Sequence, residues 1–152
     1  MIDKFSGIFL LIVFILHFIG HGVYGFRCVF GTKSFLDQYA MHDSGAIMTR
    51  FFGSIFLASF IMAMYIMFVR SGGVNGTWGF FNLIFLQNLS AFIVGVYTIK
   101  INKLGHTEKT SIEGIIAPGI LTLLSAILCY GLADKIYIEI TVLTSIILSS
   151  IQ

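Results

Sequence analysis

The chain has 152 residues, of which 57% are hydrophobic and 11% are charged, and its mean hydropathy is +0.97. A soluble domain usually carries about 25% charged residues, so this composition argues for a protein whose surroundings are lipid. The formal net charge of +2 is too small to create a nucleic-acid-binding surface, and we expect no nucleic-acid partner.

Four stretches contain no Asp, Glu, Lys or Arg and are long enough to cross a bilayer as helices. They are residues 5–26, 51–69, 77–99 and 114–133. A spanning helix needs roughly 20 apolar residues, because each residue advances the helix by about 1.5 Å. Continuous apolar runs also lack the alternation of a membrane β-barrel. We therefore predict an all-α protein, an integral membrane four-helix bundle, in which residues 1–152 form a single transmembrane domain.

The C-terminal segment, residues 136–152, has two interpretations. Four aliphatic residues share one helical stripe: Ile136, Ile140, Leu143 and Ile147. The rest of the segment contains a Glu and several Thr and Ser residues. We expect an amphipathic helix that lies at the membrane surface or continues the fourth span, and a fifth spanning helix is the alternative.

Basic residues are divided unevenly between the two sides of the predicted bundle. The first and third loops contain or adjoin Arg27, Lys33, Arg50, Lys100, Lys103 and Lys109. The opposite side carries Lys4, Arg70 and Lys135. Because basic loops tend to stay in the cytoplasm, we expect residues 27–50 and 100–113 to be cytoplasmic. The frequent Ile, Phe and Lys favour an AT-rich gene, and hence a bacterial inner membrane or an organellar membrane.

The two cysteines, Cys28 and Cys129, fall near opposite ends of this predicted bundle. A disulfide requires Cα atoms within about 7 Å, whereas these two residues would be separated by most of a membrane. We therefore expect two free thiols. Two isolated cysteines also provide neither a redox CxxC pair nor a thiolate zinc site.

Polar side chains within the predicted spans are the best candidates for function, because burying them in lipid is costly. In the first span a single helical face carries His17, Gly20, His21 and Tyr24. Histidines four residues apart can ligate a metal ion from one helix, which makes His17 and His21 metal candidates. A zinc or di-iron centre would need a further acidic or histidine ligand, which the other spans do not offer. We expect these histidines to be hydrogen-bonded within the bundle and predict no cofactor; haem, a metal ion or a quinone is the alternative.

The second span carries polar and small residues on one face, namely Arg50, Ser54, Ala58 and Tyr65. Small residues let helix backbones approach closely, so this face predicts a packing seam with an Arg at its inner end.

The third span is polar on two sides. One side carries Asn82, Ser90 and Tyr97, with Gln87 toward its edge, and the other carries Asn88, Ala91 and Gly95. A helix with lipid on half of its circumference has little use for such a pattern. We therefore expect the third span to touch protein on both sides, with Asn82, Gln87 and Asn88 as helix-packing residues.

The predicted topology places one set of polar residues in the same leaflet: His21, Tyr24, Arg50 and Tyr97. Such a cluster could bind an anionic lipid head group or a quinone oxygen. It could equally tie helices together or contact a neighbouring subunit, which is the interpretation we favour. With His17, these residues are the candidates for a ligand site or an interface.

The second span opens with Arg50-Phe-Phe-Gly53 and continues with small residues as far as Ala58. In this pattern the chain resembles small four-span bacterial membrane proteins of the DoxX-like kind. The resemblance covers only part of the chain, and it implies a fold rather than an activity.

The predicted spans contain no nucleophile–base pair and no carboxylate dyad, so we do not expect an enzyme. We favour a non-catalytic structural or accessory subunit of a larger membrane complex. Its partners would be the lipid bilayer and other membrane subunits or further copies of itself. The alternative is a redox protein or a lipid- or quinone-binding protein that uses the face of His17, His21, Tyr24 and Arg50. A transporter or channel is disfavoured, because the spans carry no Asp or Glu to couple ions.

Overall fold

The structure, a computed structural model, describes residues 2–138 and is helical throughout, with no strand in that range. The helices are α1 (Ile8–Val29), α2 (Thr32–Gln38), α3 (Ala46–Met64), α4 (Trp78–Val96), α5 (Glu113–Gly131) and α6 (Ala133–Ile136). Wider π-helical turns extend α3 through Tyr65–Val69 and α4 through Tyr97–Ile101. Short 3-10 turns, Ile2–Phe5 and Asp43–Gly45, precede α1 and α3. The predicted all-α class is confirmed over these residues.

Four continuous helical segments are long and apolar enough to cross a membrane, as predicted. They are Ile8–Val29, Asp43–Val69, Trp78–Ile101 and Glu113–Gly131. The second begins well before the predicted residue 51, because a charged side chain such as Arg50 does not end a helical backbone. The first begins at Ile8, because Gly7 has a φ of 123° that no α-helix contains. The predicted C-terminal segment, 136–152, lies almost wholly outside the described residues.

The four long helices form an arc rather than a closed ring. α1 packs along α3 on one side and against α5 on the other, and α4 packs along α5. The spatial order is therefore α3, α1, α5 and α4. The two outer helices, α3 and α4, make no extensive contact with each other. This arrangement leaves a gap between α3 and α4.

The contact between α1 and α3 depends on glycine. A Cβ added to Gly53 would lie 2.5 Å from the Cβ of Cys28 and 3.3 Å from the carbonyl oxygen of Gly25. Such distances are too short for any side chain, so Gly53 permits close backbone approach. The predicted packing seam on the second span is not the face of α3 that packs on α1. Its members are exposed, and none of them packs inside the bundle: Arg50, Ser54, Ala58 and Tyr65.

The contact between α4 and α5 is equally close. A Cβ on Gly95 would lie 2.5 Å from the carbonyl oxygen of Gly114. Pro118 lies inside α5 and has no N–H, so the Gly114 carbonyl cannot form the usual bond to the residue four positions later. That oxygen faces the Gly95 backbone, where a weak Cα–H···O contact is possible.

Aromatic packing fills the space between α1 and the start of α4. Phe14 and Phe81 have ring centroids 6.2 Å apart, and the rings of Phe18 and Phe80 stack at 5.5 Å. Phe14, Phe18 and Phe81 are almost completely buried. These rings fill the bundle between α1 and α4 at this end, and a second, more open pocket lies outside them between the end of α3 and the start of α4, lined by residues such as Tyr65, Arg70 and Trp78.

The two cysteines are free, as predicted. Cys28 is buried near the end of α1, whereas Cys129 lies near the end of α5 and directs its thiol toward the carbonyl oxygen of Phe81. The Phe81 carbonyl belongs to the first turn of α4, at the end of the bundle opposite Cys28.

Candidate ligand-binding cavity

A cavity of about 520 Å³ lies where the gap between α3 and α4 meets the end of α1 and the start of α5. Most of its wall is apolar. The lining residues are Tyr24, Phe35, Tyr39, Phe52, Phe56, Gln87, Asn88, Ser90, Ala91, Val94, Gly95, Glu113, Gly114, Ala117, Pro118 and Leu121. All five helices from α1 to α5 contribute to this wall, so the cavity exists only once the helices have packed together.

The cavity opens sideways, through the gap between α3 and α4. Phe52 of α3 and Val94 of α4 line it and are 47% and 60% exposed, which places them on its rim. At the end of the bundle, Phe35 of α2 and the adjoining Tyr39 extend across it. The opening therefore lies on the lateral surface of the bundle, beside the outward-facing side chains of α3 and α4.

A hydrogen-bonded network closes the cavity near α2. The Glu113 carboxylate accepts from the Tyr24 hydroxyl, from the Gln38 amide and, at 3.0 Å, from Nη1 of Arg27. Arg27 also donates to the Gln38 side-chain oxygen. These bonds join α1, α2 and α5, and the charge of Glu113 is balanced by that of Arg27.

Tyr39 lies beside this network. Burial raises the pKa of its phenol, and the nearby Glu113 carboxylate raises it further. The phenol is therefore uncharged at neutral pH, and it contributes no charge to the cavity wall.

Two histidines and an amide form a buried polar cluster behind the cavity wall. His17 and His21 are fully buried, with ring centroids 4.8 Å apart, and Asn88 is 2% exposed. Asn88 Nδ2 lies 3.0 Å from His17 Nε2. An amide nitrogen can only donate, so Nε2 accepts and His17 carries its proton on Nδ1.

Several polar atoms of this region lack a hydrogen bond of standard geometry among residues 2–138. They are His17 Nδ1, both ring nitrogens of His21 and the Gln87 amide nitrogen. Asn88 is close to His21, and the Leu121 backbone is close to His17, without completing these bonds. Buried polar groups are normally satisfied, so this concentration of weakly partnered donors and acceptors is unusual inside a bundle.

The histidine pair is one layer from the cavity itself. The His21 ring packs against Phe56 at 5.1 Å, and His17 bonds to Asn88; Phe56 and Asn88 both line the cavity. Gln87 lines it directly. The structure thus brings together two features that the sequence singled out separately: the face of α1 that carries the histidines and Tyr24, and the amide side of α4.

The residues predicted to share one leaflet, His21, Tyr24, Arg50 and Tyr97, do not all border the cavity. Arg50 is exposed and donates from Nε to the Thr32 hydroxyl at 3.1 Å. Tyr97 is 48% exposed and lies in the π-helical turn after α4. Neither residue lines the cavity, whereas Tyr24 does.

The expectation that the third span touches protein on two sides holds for part of its polar pattern. Asn88 is buried inside the bundle, and Asn82 accepts a 2.7 Å hydrogen bond from the Tyr137 hydroxyl. Ser90 and Tyr97, on the same predicted side as Asn82, are exposed. Within the described chain, that side is therefore covered only at its beginning.

Four residues of the site were not predicted from the sequence as functional candidates: Arg27, Gln38, Tyr39 and Glu113. Arg27 and Glu113 had been assigned to loops because each lies just outside an apolar run. Their signal was available in principle, since opposite charges at the neighbouring ends of two predicted spans favour an ion pair.

Across residues 2–138, no three His, Cys, Asp or Glu side chains are grouped closely enough to hold a metal ion. The chain matches no protein-family model, no curated protein and no solved structure.

Proposed function

We propose that the four long helices cross a membrane and that the protein binds a lipophilic molecule from the bilayer in the cavity between α3 and α4. The observation that carries this proposal is the position of the opening, which lies on the side of the bundle, between two apolar helices. The α2 end of the cavity is closed by the Glu113 network. A molecule dissolved in lipid would therefore reach the site more readily than one dissolved in water.

The outer surface supports membrane insertion. Each long helix exposes large apolar side chains over its length, among them Leu16, Ile61, Leu83 and Leu123, with exposed fractions of 57%, 64%, 64% and 67%. Continuous apolar surface of this kind is unstable in water and is normal against hydrocarbon. We propose a bacterial inner membrane or an organellar membrane, with residues 27–50 and 100–113 on its cytoplasmic side because these loops carry most of the basic residues.

The character of the cavity supports a small amphiphile as its occupant. Binding pockets for small molecules commonly have volumes of about 300–1,000 Å³ and a mostly apolar wall with a few polar groups. This cavity has a volume of about 520 Å³ and presents Gln87 and Asn88 within an apolar wall. A lipid, a prenyl compound or a quinone would match that description.

Occupancy of the cavity can be tested with a pair of matched substitutions. Ala91→Phe places a ring inside the cavity, whereas Ala58→Phe places the same ring on the exposed face of α3. We expect native mass spectrometry in mild detergent to find a bound small molecule on the wild-type protein and on Ala58→Phe. Ala91→Phe should have lost it. Equal retention of the molecule by both variants, or no bound molecule on the wild type, contradicts the proposal.

A second function, an accessory subunit of a membrane complex, is favoured by the outer face of α3. Arg50, Ser54 and Ala58 are exposed there, and small residues at a lipid-facing position allow another helix to approach closely. The DoxX-like resemblance falls on the same stretch and remains a prediction. The two substitutions separate the functions, since Ala58→Phe should disrupt assembly without emptying the cavity. A wild-type protein that stays monomeric and without a partner in native membranes would contradict the subunit role.

A further inference from the structure

We infer that the molecule held between α3 and α4 has an uncharged head group bearing a hydroxyl, which Gln87 and Asn88 bind. This inference rests on the proposed function, since it identifies the chemistry of a ligand in the same cavity. It follows from the charges of the wall and from the donors and acceptors that the wall offers.

The charge of the wall favours an uncharged head group. Glu113 is the one charged residue among those that line the cavity, and no Lys or Arg is among them. An anionic head group would therefore meet a carboxylate and no cation. A cationic head group would have to compete with Arg27, which already pairs with Glu113 at 3.0 Å, and with two further donors to the same carboxylate.

Gln87 supplies a donor. Its side chain lines the cavity, and its amide nitrogen is buried without a hydrogen-bond partner in the described part of the chain. A buried donor that is left unpaired costs free energy, so a hydrogen bond from this donor to an acceptor atom on the ligand would strengthen binding. The oxygen of an alcohol, an aldehyde or a ketone could be that acceptor.

Asn88 supplies an acceptor, and His17 fixes its orientation. The Asn88 amide nitrogen donates to His17 Nε2 at 3.0 Å, and the side chain is 2% exposed, so it has little freedom to turn. The amide oxygen of Asn88 lies beside His21, and because an amide oxygen has two lone pairs it can also accept from a ligand. His17 is therefore a positioning residue for Asn88.

A hydroxyl group satisfies both side chains at once. It can accept from the Gln87 amide nitrogen and donate to the Asn88 amide oxygen, whereas an aldehyde or ketone can only accept. Gln87 and Asn88 lie about 100° apart around α4 and both line the same cavity, so they border a head group from two directions. The combination selects an alcohol over a carbonyl compound that has the same apolar tail.

Three probes with one tail test the inference directly. Farnesol, farnesal and farnesyl phosphate share a prenyl chain and differ in having a hydroxyl, a carbonyl and an anionic head group. We would measure the binding of tritiated farnesol to the full chain in detergent, and then its displacement by each compound. Farnesol should bind about tenfold more tightly than farnesal, which corresponds to the loss of one hydrogen bond, and farnesyl phosphate should bind still more weakly.

Matched variants connect the preference to the named side chain. Gln87→Leu should weaken the binding of farnesol by about tenfold and leave a smaller difference between farnesol and farnesal. Asn82→Leu makes a similar substitution on the same helix outside the cavity, and it should leave the order of affinities unchanged. Both variants must retain the helical content of the wild type, as measured by circular dichroism.

The possible results separate this inference from the function on which it rests. If farnesyl phosphate or farnesal binds as tightly as farnesol, the inferred head group is wrong while the cavity remains a binding site. A farnesol affinity that Gln87→Leu leaves unchanged in a folded protein also overturns the inference. If none of the three compounds binds and the wild type carries no bound molecule, the proposed function fails and the inference fails with it.

Discussion

The Glu113 carboxylate joins three helices at the cavity, since it accepts from Tyr24 on α1, from Gln38 on α2 and from Arg27 on α1, while it belongs to α5 itself. The side chains of Arg27 and Glu113 are 34% and 31% exposed, so solvent screens part of their attraction. The network should therefore contribute modestly to stability and more strongly to the position of α2 over the cavity.

Loss of the Glu113 charge tests this contribution. We expect Glu113→Gln to destabilise the protein by about 1 kcal/mol, because an ionised acceptor is replaced by a neutral one and Arg27 loses its counter-charge. Arg27→Met should have a similar effect, and the double variant should lose less than the sum of the two. Thermal unfolding in detergent measures all three variants.

Lys33→Met provides a control for these variants, because Lys33 pairs with Asp37 and Asp43 and all three side chains are largely exposed, at 67%, 58% and 67%. It should leave the unfolding midpoint unchanged. Strictly additive losses for Glu113→Gln and Arg27→Met would show that the two residues act independently.

Gly53 gives a second prediction for a single residue. Gly53→Ala should destabilise the protein by about 1–3 kcal/mol, because the new methyl group would overlap Cys28 and force α1 and α3 apart. Gly79→Ala is the control, since a Cβ at Gly79 would meet no atom within 4 Å. The measurement is the unfolding midpoint of each variant. A loss of equal size in both would contradict the close contact between α1 and α3 at Gly53.

The sequence identified some residues of the site and could not identify others. Tyr24, Gln87 and Asn88 were recognisable because a polar side chain inside an apolar span is costly and therefore conspicuous. Glu113 was not, because a charge one residue before a span is ordinary. Its importance arises from the side chains of α1 and α2 that the fold brings next to it.

For whole helices, the number and approximate positions of the long segments were predictable from apolar run length alone. The face that each helix packs against its neighbours was not predictable. The small residues of α3 indicated a seam through Ala58, whereas the close contact is made by Gly53 on a different face. Small residues suit contacts inside a bundle and contacts between subunits equally, so the helical pattern alone could not choose between them.

The close packing of α4 on α5 gives a prediction for a pair of helices. Gly95→Ala should weaken this contact, because the added methyl group would overlap the Gly114 carbonyl oxygen at 2.5 Å. We expect a loss of about 1–3 kcal/mol despite the better helix propensity of Ala. The measurement is thermal unfolding beside Gly79→Ala on the same helix, and a Gly95→Ala protein as stable as that control would contradict the proposed packing.

For the whole molecule, the arc of helices was beyond prediction from the sequence. A four-helix bundle can close into a ring, and nothing in the apolar runs indicates that α3 and α4 stay apart. That separation follows from the glycine contacts that hold α3 to α1 and α4 to α5. The cavity is a consequence of this arrangement, so it could not have been located before the helices were packed.

The orientation of the whole molecule can be tested with single cysteines in a variant that lacks Cys28 and Cys129. Ser71→Cys lies in the loop between α3 and α4, and Thr107→Cys in the loop between α4 and α5; both positions are exposed. In intact cells or vesicles of native orientation, a membrane-impermeant maleimide should label Ser71→Cys from outside. It should label Thr107→Cys only after permeabilisation, and the reverse result would contradict the cytoplasmic assignment of the basic loops.

The central claim is that a molecule from the bilayer occupies the cavity between α3 and α4. Photolabelling of the protein in vesicles with a diazirine-bearing prenyl alcohol, followed by peptide mapping, tests it most directly. We predict adducts at Asn88 or Leu121, which line the cavity but are only 2% and 7% exposed, so that surrounding lipid cannot reach them. Excess farnesol should suppress these adducts. Labelling confined to outward residues such as Leu83 and Leu123 would contradict the claim.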